Sequence, residues 1–262
     1  MVRMVMLKTK RIQQIQEYVF EHQSVSLEDL GTVFGVSKTT IRRDIRKLIK
    51  EGMIQKVYGG VAINHAKLES FNERKARNQF QKRLIAKTAA DYVENGDVIF
   101  IDSGTTTLEM ITFLKNKQVT IITNNLDIII QSLPFENLNV ISTGGLLERD
   151  TKSFSSYSHA SSFKKYNFDK VFMASTGVSI VNGVTNSSPI ESGMKETIVK
   201  GNADVFLLVD HTKLNKYAMV TYCGLEEIDY LITDDCLDEN YQDYAKENNL
   251  ELVIANHCIA GK

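Results

Sequence analysis

A run of glycine and hydroxyl residues directly follows the apolar stretch that ends at Ile101. The run consists of Asp102, Ser103, Gly104, Thr105, Thr106 and Thr107. Backbone N–H groups at the start of a helix, a glycine that permits close approach and several hydroxyls together suit a phosphate group. Alternatively, Thr106 or Thr107 only caps the helix that follows. We favour a phosphate site, with Asp102 contacting a sugar hydroxyl or a neighbouring loop, because its negative charge would repel phosphate.

Other apolar stretches are also followed by small polar groups. Thr123 and Asn124 follow one stretch, Gly144 and Gly145 follow another, and Lys213 follows a third. Lys213 offers a cation for an anionic ligand, or it is an ordinary surface lysine. Thr123 and Asn124 contact a ligand or only form a turn. The isolated histidines, which we expect to be surface or core residues, are His22, His65, His159 and His257.

The three cysteines, Cys223, Cys236 and Cys258, form no CxxC pair. Neither a zinc site nor a disulfide framework is therefore expected, and no metal or cofactor is assigned. Such cysteine usage suits the reducing cytoplasm. No stretch approaches ~18 consecutive apolar residues, so no membrane span is expected.

Apolar strands alternate with helical segments through residues 73–257, which we predict to be one domain. Strands are predicted at 98–101, 119–122, 138–142, 170–174, 205–209 and 230–232, and one long helix at 73–93. This alternation is typical of βαβ units in a doubly wound α/β sheet. Ligands bind such sheets at the carboxyl ends of the strands, so the polar groups described above are expected to share one edge.

Basic residues are concentrated near the N-terminus, although the whole chain of 262 residues has a net charge of −1. Residues 1–61 contain 11 Lys and Arg against 6 Asp and Glu, a net charge of +5, and the remaining 201 residues carry −6. This asymmetry indicates a head that binds a polyanion, or a merely solvated basic surface.

Three helices and a hairpin are predicted within the head, residues 6–61, and residues 62–72 are a predicted linker. Ser26 and Ser37 have the residue type and position of N-caps for the second and third helices. Gly52 is predicted to end the third helix, and Gly59-Gly60 to form the hairpin turn. Helix, helix, short turn, helix and hairpin is the order of a winged helix-turn-helix, whose third helix enters the major groove. The alternative is a small helical bundle with a charged surface.

The third helix has two distinct sides. Ile41, Ile45 and Leu48 form an apolar stripe at helical spacing. The opposite side carries Thr39, Arg43, Arg46 and Lys50, with Arg42 at its flank. Guanidinium groups on this side suit DNA phosphates and guanine edges.

Four segments of the head resemble the DNA-binding domain of the DeoR family of bacterial transcription regulators. They are 25–30, 34–37, 40–44 and 56–60. The resemblance implies that Thr39, Arg42, Arg43 and Arg46 face double-stranded operator DNA. The full set of predicted DNA contacts is Ser37, Lys38, Thr39, Thr40, Arg42, Arg43, Arg46, Lys56 and Tyr58.

The resemblance extends over the body, which is similar to the sugar-phosphate sensor domain of the same family. The matching positions are 101–107, 123–124, 144–145, 183–185, Glu191, Lys195 and 210–213. That sensor domain is related to ribose-phosphate and glucosamine-phosphate isomerases. The predicted effector contacts are Asp102, Ser103, Gly104, Thr105, Thr106, Thr107, Thr123, Asn124, Gly144, Gly145, Glu191 and Lys213. Ser155 and Ser156 stand where the family usually places a glycine, in a loop expected to close on the effector.

Within the family, segments 56–61, 152–154, 165–167 and 208–211 look most like the inositol-catabolism repressor branch. That branch implies a phosphorylated keto-sugar acid as inducer. We therefore expect a DNA-binding repressor of a carbohydrate-catabolism operon, released by a phosphorylated sugar and assembled as a homodimer or homotetramer. The alternative is a sugar-phosphate isomerase with an accessory head, using Asp102, Glu191 or His211 as acid or base. A DNA-binding head argues against it, because a sensor needs binding without turnover.

Overall fold

The computed structural model describes residues 8–22, 24–50, 54–63, 71–156, 163, 165–235 and 237–255. The chain divides into two compact units, Met1–Glu69 and Ser70–Lys262, called here the head and the body. Several positions discussed above lie outside the described residues: Gly52, His65, His159, Cys236, His257, Cys258 and most of the linker. No helix in the described ranges is long and apolar enough to cross a membrane.

The head is a three-helix unit with a small antiparallel sheet. Its elements are α1 (Lys8–His22), β1 (Ser24–Ser26), α2 (Leu27–Val33), α3 (Lys38–Lys50), β2 (Ile54–Val57) and β3 (Gly60–Ile63). The strand order is β1-β3-β2, so the predicted hairpin gains a third strand from the segment before α2. A side chain at Gly60 would lie 2.2 Å from the Val25 carbonyl oxygen, and only glycine permits this approach. These elements confirm the predicted winged helix-turn-helix.

A seven-stranded parallel sheet forms the centre of the body. Its strands are β4 (Val98–Ile101), β5 (Val119–Thr123), β6 (Leu138–Ser142), β9 (Lys170–Met173), β12 (Asp204–Leu208), β14 (Tyr230–Thr233) and β15 (Glu251–Ile254). The spatial order is β15-β14-β12-β9-β4-β5-β6. The chain thus builds outward from β4 to β6 and then returns to place β9 on the other side of β4. This reversal confirms the doubly wound sheet and makes the β4–β9 junction its topological switch point.

Helices cover both faces of this sheet. They are α4 (Phe71–Ala76), α5 (Gln79–Asp91), α6 (Ile111–Leu114), α7 (Leu126–Ser132), α8 (Pro189–Val199) and α9 (Glu239–Asn248). Alternate residues of β4 belong to two separate cores: Phe100 packs with the core containing α8 and α9, and Ile99 and Ile101 with the core containing α5 and α6. The predicted single helix at 73–93 is wrong. It is divided at Asn78, whose φ of +52° is left-handed.

Two antiparallel additions were not predicted. One is the hairpin β7 (Leu146–Glu148) and β8 (Ser153–Ser155). The other is a sheet of β10 (Gly177–Ser179), β11 (Gly183–Asn186) and β13 (Val220–Cys223). Both follow strands that end at the carboxyl edge of the parallel sheet, so they are placed beside the candidate ligand site.

Candidate DNA interface and effector site

Helix α3 presents its arginines to solvent and its apolar stripe to the core of the head. Ser37 begins the helix, with its Oγ accepting from Thr40 N at 3.2 Å. Asp44 is fully buried and accepts from Arg11 Nε at 2.8 Å, which ties α3 to α1. The exposed residues of α3 include Thr39, Arg42, Arg43 and Arg46. The outward side is therefore available to a polyanion.

The remaining predicted DNA contacts are also at the surface, with one exception. Lys38 is exposed and pairs with Glu28 at 3.1 Å. Lys56 is exposed on β2, and Tyr58 is fully exposed at the turn of the wing. Thr40 is only partly exposed, and its hydroxyl lies 3.0 Å from Ser37 Oγ. Ser37 and Thr40 thus stabilise the start of the helix, and their contact with DNA stays a prediction.

A buried ion pair occupies the switch point of the body. Lys195 Nζ on α8 lies 2.6 Å from Asp102 Oδ2 and donates to the Ala174 carbonyl at 2.9 Å. Ala174 N also donates to Asp102 Oδ2, and Tyr222 Oη donates to the Ala174 carbonyl. One carboxylate oxygen of Asp102, Oδ2, is therefore bonded both to α8 and to the end of β9. Sequence reasoning did not place Lys195 in the site, although the family resemblance included it.

The loop Ser103–Thr107 is held by hydrogen bonds from one of its own hydroxyls. Thr107 Oγ1 donates towards the carbonyls of Asp102 at 2.7 Å and Gly104 at 3.1 Å, so its hydroxyl holds the loop itself. Thr106 makes no side-chain cap. The helical segment that follows the loop consists of a 3-10 turn, Thr107–Met110, and the four-residue α6. Backbone N–H groups and the hydroxyls of Ser103, Thr105 and Thr106 remain as the groups that could hold a phosphate.

The end of β5 is tied to this loop. Thr123 Oγ1 donates to the Ile101 carbonyl at 2.6 Å and accepts from Asn125 N. The Thr123 hydroxyl therefore joins the end of β4 to the turn after β5. Asn124 is fully buried and donates from Nδ2 to Ser103 Oγ at 3.2 Å. Asn124 is therefore beside the loop, as the sequence predicted for the carboxyl edge.

Glu191 is buried with both carboxylate oxygens engaged. Oε1 accepts from Ser153 Oγ at 2.6 Å, and Oε2 accepts from Asn186 Nδ2 at 2.9 Å. It thus links α8 to the β7–β8 hairpin and to β11. Ser155, one of the two serines that replace the usual glycine of the family, is buried in β8, with Oγ 3.5 Å from Glu148 Oε1. Neither Ser153 nor Asn186 was predicted, because a short polar strand has no distinctive sequence pattern.

The other predicted contacts flank this centre. Gly144 and Gly145 follow β6, the outermost strand on one side, with φ of +66° and +107°. Lys213 follows β12, on the other side of β9. Desolvation lowers the pKa of Lys213 to about 8, although the nearby Asp210 charge opposes this. Asp210 accepts from Thr212 N at 2.9 Å and from Asn78 Nδ2 at 3.4 Å, so the break between α4 and α5 lies here.

Lys82 extends the cationic side of this region. It is buried, and it donates to the Arg74 carbonyl. Desolvation lowers the pKa of Lys82, and the charges of Arg77 and Arg74 act in the same direction. The charges of Lys82 and Lys213 therefore both act on Asp210, and of these two lysines only Lys213 was predicted. No cluster of His, Cys, Asp and Glu suited to a metal occurs in the described ranges.

Two family models match the chain, one on each unit. Residues 11–67 match the DeoR-like helix-turn-helix domain, and residues 77–235 match the DeoR C terminal sensor domain. The chain belongs to the DeoR family. Its head is a DNA-binding domain and its body is a sensor domain, so the protein is a helix-turn-helix transcription regulator.

Relatives match this regulator over nearly its whole length. The HTH-type transcriptional regulator IolR of Bacillus subtilis is 40% identical over 95% of this chain and 100% of its own. A putative aga operon transcriptional repressor of Escherichia coli is 26% identical, covering 94% and 93%. A ribose 5-phosphate isomerase of Methanocaldococcus jannaschii covers 52% of this chain and 55% of its own, with 19% identity and a TM-score of 0.38. A likeness of that size assigns no activity to the body.

Proposed function

We propose that this regulator represses a carbohydrate-catabolism operon in the cytoplasm and is released from its operator by a phosphorylated sugar. The observation that carries the proposal is that one chain has both an exposed arginine side on α3 and, in a separate sensor unit, a polar switch point. The resemblance to the inositol-catabolism repressor branch supports a phosphorylated keto-sugar acid as the inducer. The body binds this effector without turning it over.

The proposed DNA-binding mode follows from the exposed side of α3. Arg42, Arg43 and Arg46 read the major groove, while Lys56 and Tyr58 on the wing contact the backbone. Helix-turn-helix proteins commonly bind paired half-sites, so we propose a homodimer or homotetramer. About 8 phosphate contacts would make the affinity for DNA fall on the order of a thousand-fold or more between 50 and 200 mM salt.

The proposed effector site is the Ser103–Thr107 loop, with Lys213 as the cation that completes phosphate binding. One candidate base for an isomerase, Glu191, has both carboxylate oxygens engaged, by Ser153 and Asn186. A general base must reach the substrate proton with a free lone pair. The engagement of Glu191 supports a sensor rather than an enzyme, and incubation with hexose and pentose phosphates is expected to give no product.

Arginine-to-alanine variants of α3 test the DNA-binding proposal. We expect Arg43→Ala and Arg46→Ala each to weaken operator binding by about 1–3 kcal/mol, because each removes contacts to a base edge or phosphate. Fluorescence anisotropy with a labelled promoter fragment measures this loss. Arg83→Ala, an exposed arginine on α5 in the body, is the matched control and should bind like wild type. Wild-type affinity in both α3 variants would show that another surface binds DNA.

A further inference from the structure

Several buried polar atoms at the carboxyl ends of the parallel strands have no hydrogen-bond partner. Within the described residues these atoms are Asp102 Oδ1, Asn124 Oδ1, Asn125 Nδ2, Ser175 Oγ and Thr233 Oγ1. The head has two more, Gln14 Oε1 and Asp44 Oδ1. Folded proteins pair nearly all buried polar atoms. The unpaired atoms beside the adjacent ends of β9, β4 and β5 therefore point to a ligand that supplies their partners.

Three of these residues surround the start of the candidate phosphate loop. Asp102 directly follows β4, Asn124 directly follows β5 and Ser175 is the second residue after β9, and β4 lies between the other two strands. Adjacent strands are ~4.8 Å apart, so the three ends span roughly 10 Å. The loop also packs directly on β9, since a side chain at Gly104 would lie 2.4 Å from Ala174 Cβ. Ser175 is the next residue after Ala174.

Two of the unpaired atoms can act only as hydrogen-bond acceptors. Asp102 gives its Oδ2 to Lys195 and Ala174 N, so its Oδ1 is a carboxylate oxygen that only accepts. Asn124 donates from Nδ2 to Ser103 Oγ, which fixes its Oδ1 as the remaining acceptor. Lys195 already balances the charge of Asp102, so a cationic ligand gains little there. A ligand with neutral O–H donors fits both acceptors.

We propose that Asp102 Oδ1, Asn124 Oδ1 and Ser175 Oγ form a subsite that accepts hydrogen bonds from hydroxyls on the carbon chain of the effector. The inference rests on the proposed function, in which the adjacent Ser103–Thr107 loop holds the phosphate. It restricts the effector to phosphate esters that carry free hydroxyls on the carbons near the ester. It also assigns Ser175 a role in specificity, whereas sequence reasoning gave it none.

Matched ligands test the subsite on the full chain. The probes are a panel of pentitol and hexitol phosphates, with n-pentyl phosphate and n-hexyl phosphate as chains of equal length without the other hydroxyls. Sites built to bind a hydroxyl discriminate strongly against analogues that lack it. We expect the best polyol phosphate to bind about a hundred-fold more tightly than its alkyl counterpart, measured by calorimetric titration.

Ser175→Ala and Thr233→Val form a matched pair of variants. Each removes a buried hydroxyl that has no partner in the described chain, so neither should lower the melting temperature. Ser175→Ala should weaken the binding of the best polyol phosphate about tenfold and leave the affinity for the alkyl phosphates unchanged. Thr233 ends β14, which is separated from β9 by β12, so Thr233→Val should bind every probe like wild type.

The outcomes separate the subsite from the proposed function. Equal affinity for polyol and alkyl phosphates, or wild-type binding by Ser175→Ala, would overturn the subsite alone. An equal loss in both variants would do the same. If no organic phosphate binds better than inorganic phosphate while operator binding is intact, the subsite and the proposed effector both fail.

Discussion

Lys195 keeps its ammonium group almost entirely out of water, with 2% of the side chain exposed. Burying two charges costs as much as their attraction returns, so such a pair adds little net stability. Breaking it by removing one partner is expensive, because the other charge stays buried. The pair therefore fixes the position of Asp102 relative to β9 and α8. In this arrangement Oδ2 of Asp102 is held by protein, and Oδ1 has no hydrogen-bond partner within the described residues.

Lys213 leads to a prediction about pH. Its pKa of about 8 means that it loses its charge within the range where most lysines keep theirs. A bound phosphate favours the charged form, so binding takes up a proton and affinity falls as pH rises through about 8. A phosphate monoester is already a dianion there, since its second pKa is near 6. We expect a polyol phosphate to bind up to about tenfold more weakly per pH unit above this pKa.

Calorimetric titrations at a series of pH values measure this decline. Lys213→Met is the control: it should bind more weakly and show a flatter profile. The control keeps the charged groups that act on Lys213, because both proteins contain Asp210, Lys82, Arg74 and Arg77. The same slope in wild type and Lys213→Met would assign the titration to another group.

The predictable site residues are those next to an apolar strand. Ser103, Asn124 and Lys213 follow stretches whose burial is evident from composition, and parallel strands bring their ends to one edge. Lys195 and Glu191 differ, because a charged residue on a helix is usually at the surface. Their burial depends on tertiary contacts with β4, β8 and β11. The family resemblance included both residues, whereas residue spacing alone had no means of finding them.

At the scale of elements, the loop after β4 is positioned by one close approach. Gly104 faces Ala174 at the end of β9, and Thr107 closes the loop through two backbone carbonyls. A side chain at Gly104 would also lie 2.9 Å from Thr107 Oγ1. The loop must then shift from β9 or lose the Thr107 contacts. Either change alters the N–H groups proposed to hold phosphate.

We therefore expect Gly104→Ala to abolish the effector response while operator binding is retained. Anisotropy of labelled operator DNA, titrated with the best polyol phosphate, measures both properties. Gly193→Ala is a matched control, because Gly193 is exposed on α8 with open space around its Cα. That change should raise stability by roughly 0.5–1 kcal/mol and keep the response. A Gly104→Ala protein that still releases DNA would place the phosphate elsewhere.

Of the seven strands that the described residues place in the parallel sheet, six were predicted to within a residue or two, because each is a short apolar run. The edge strand β15 was not predicted. Nor was the division between α4 and α5. Apolar positions continue in helical register through residues 73–93. Asn78 tolerates the left-handed conformation, but the hydrophobic pattern gives no sign that the helix breaks there. Strands β7, β8 and β10 have three residues each and are stabilised by neighbours. Such short segments carry too little periodicity to identify.

For the whole molecule, DNA binding by the head and effector binding by the body are subject to a thermodynamic constraint. The effector can release DNA only through its preference between DNA-bound and DNA-free arrangements. Coupling energies are typically about 1–3 kcal/mol and are reciprocal. Operator DNA should therefore weaken effector binding by the same factor by which the effector weakens DNA binding.

Chain length between the units makes the source of this coupling testable. Residues 64–70 join the end of β3 at Ile63 to the start of α4 at Phe71, and extended chain spans at most ~3.6 Å per residue. If this short segment transmits the effector signal, about six Gly or Ser residues inserted after Asn64 should reduce the coupling. Each separate affinity should stay unchanged, because no element of either unit is altered. Anisotropy titrations with and without effector measure the ratio. Full effector-driven release by the lengthened protein would show that head and body communicate by direct contact rather than through the connecting segment.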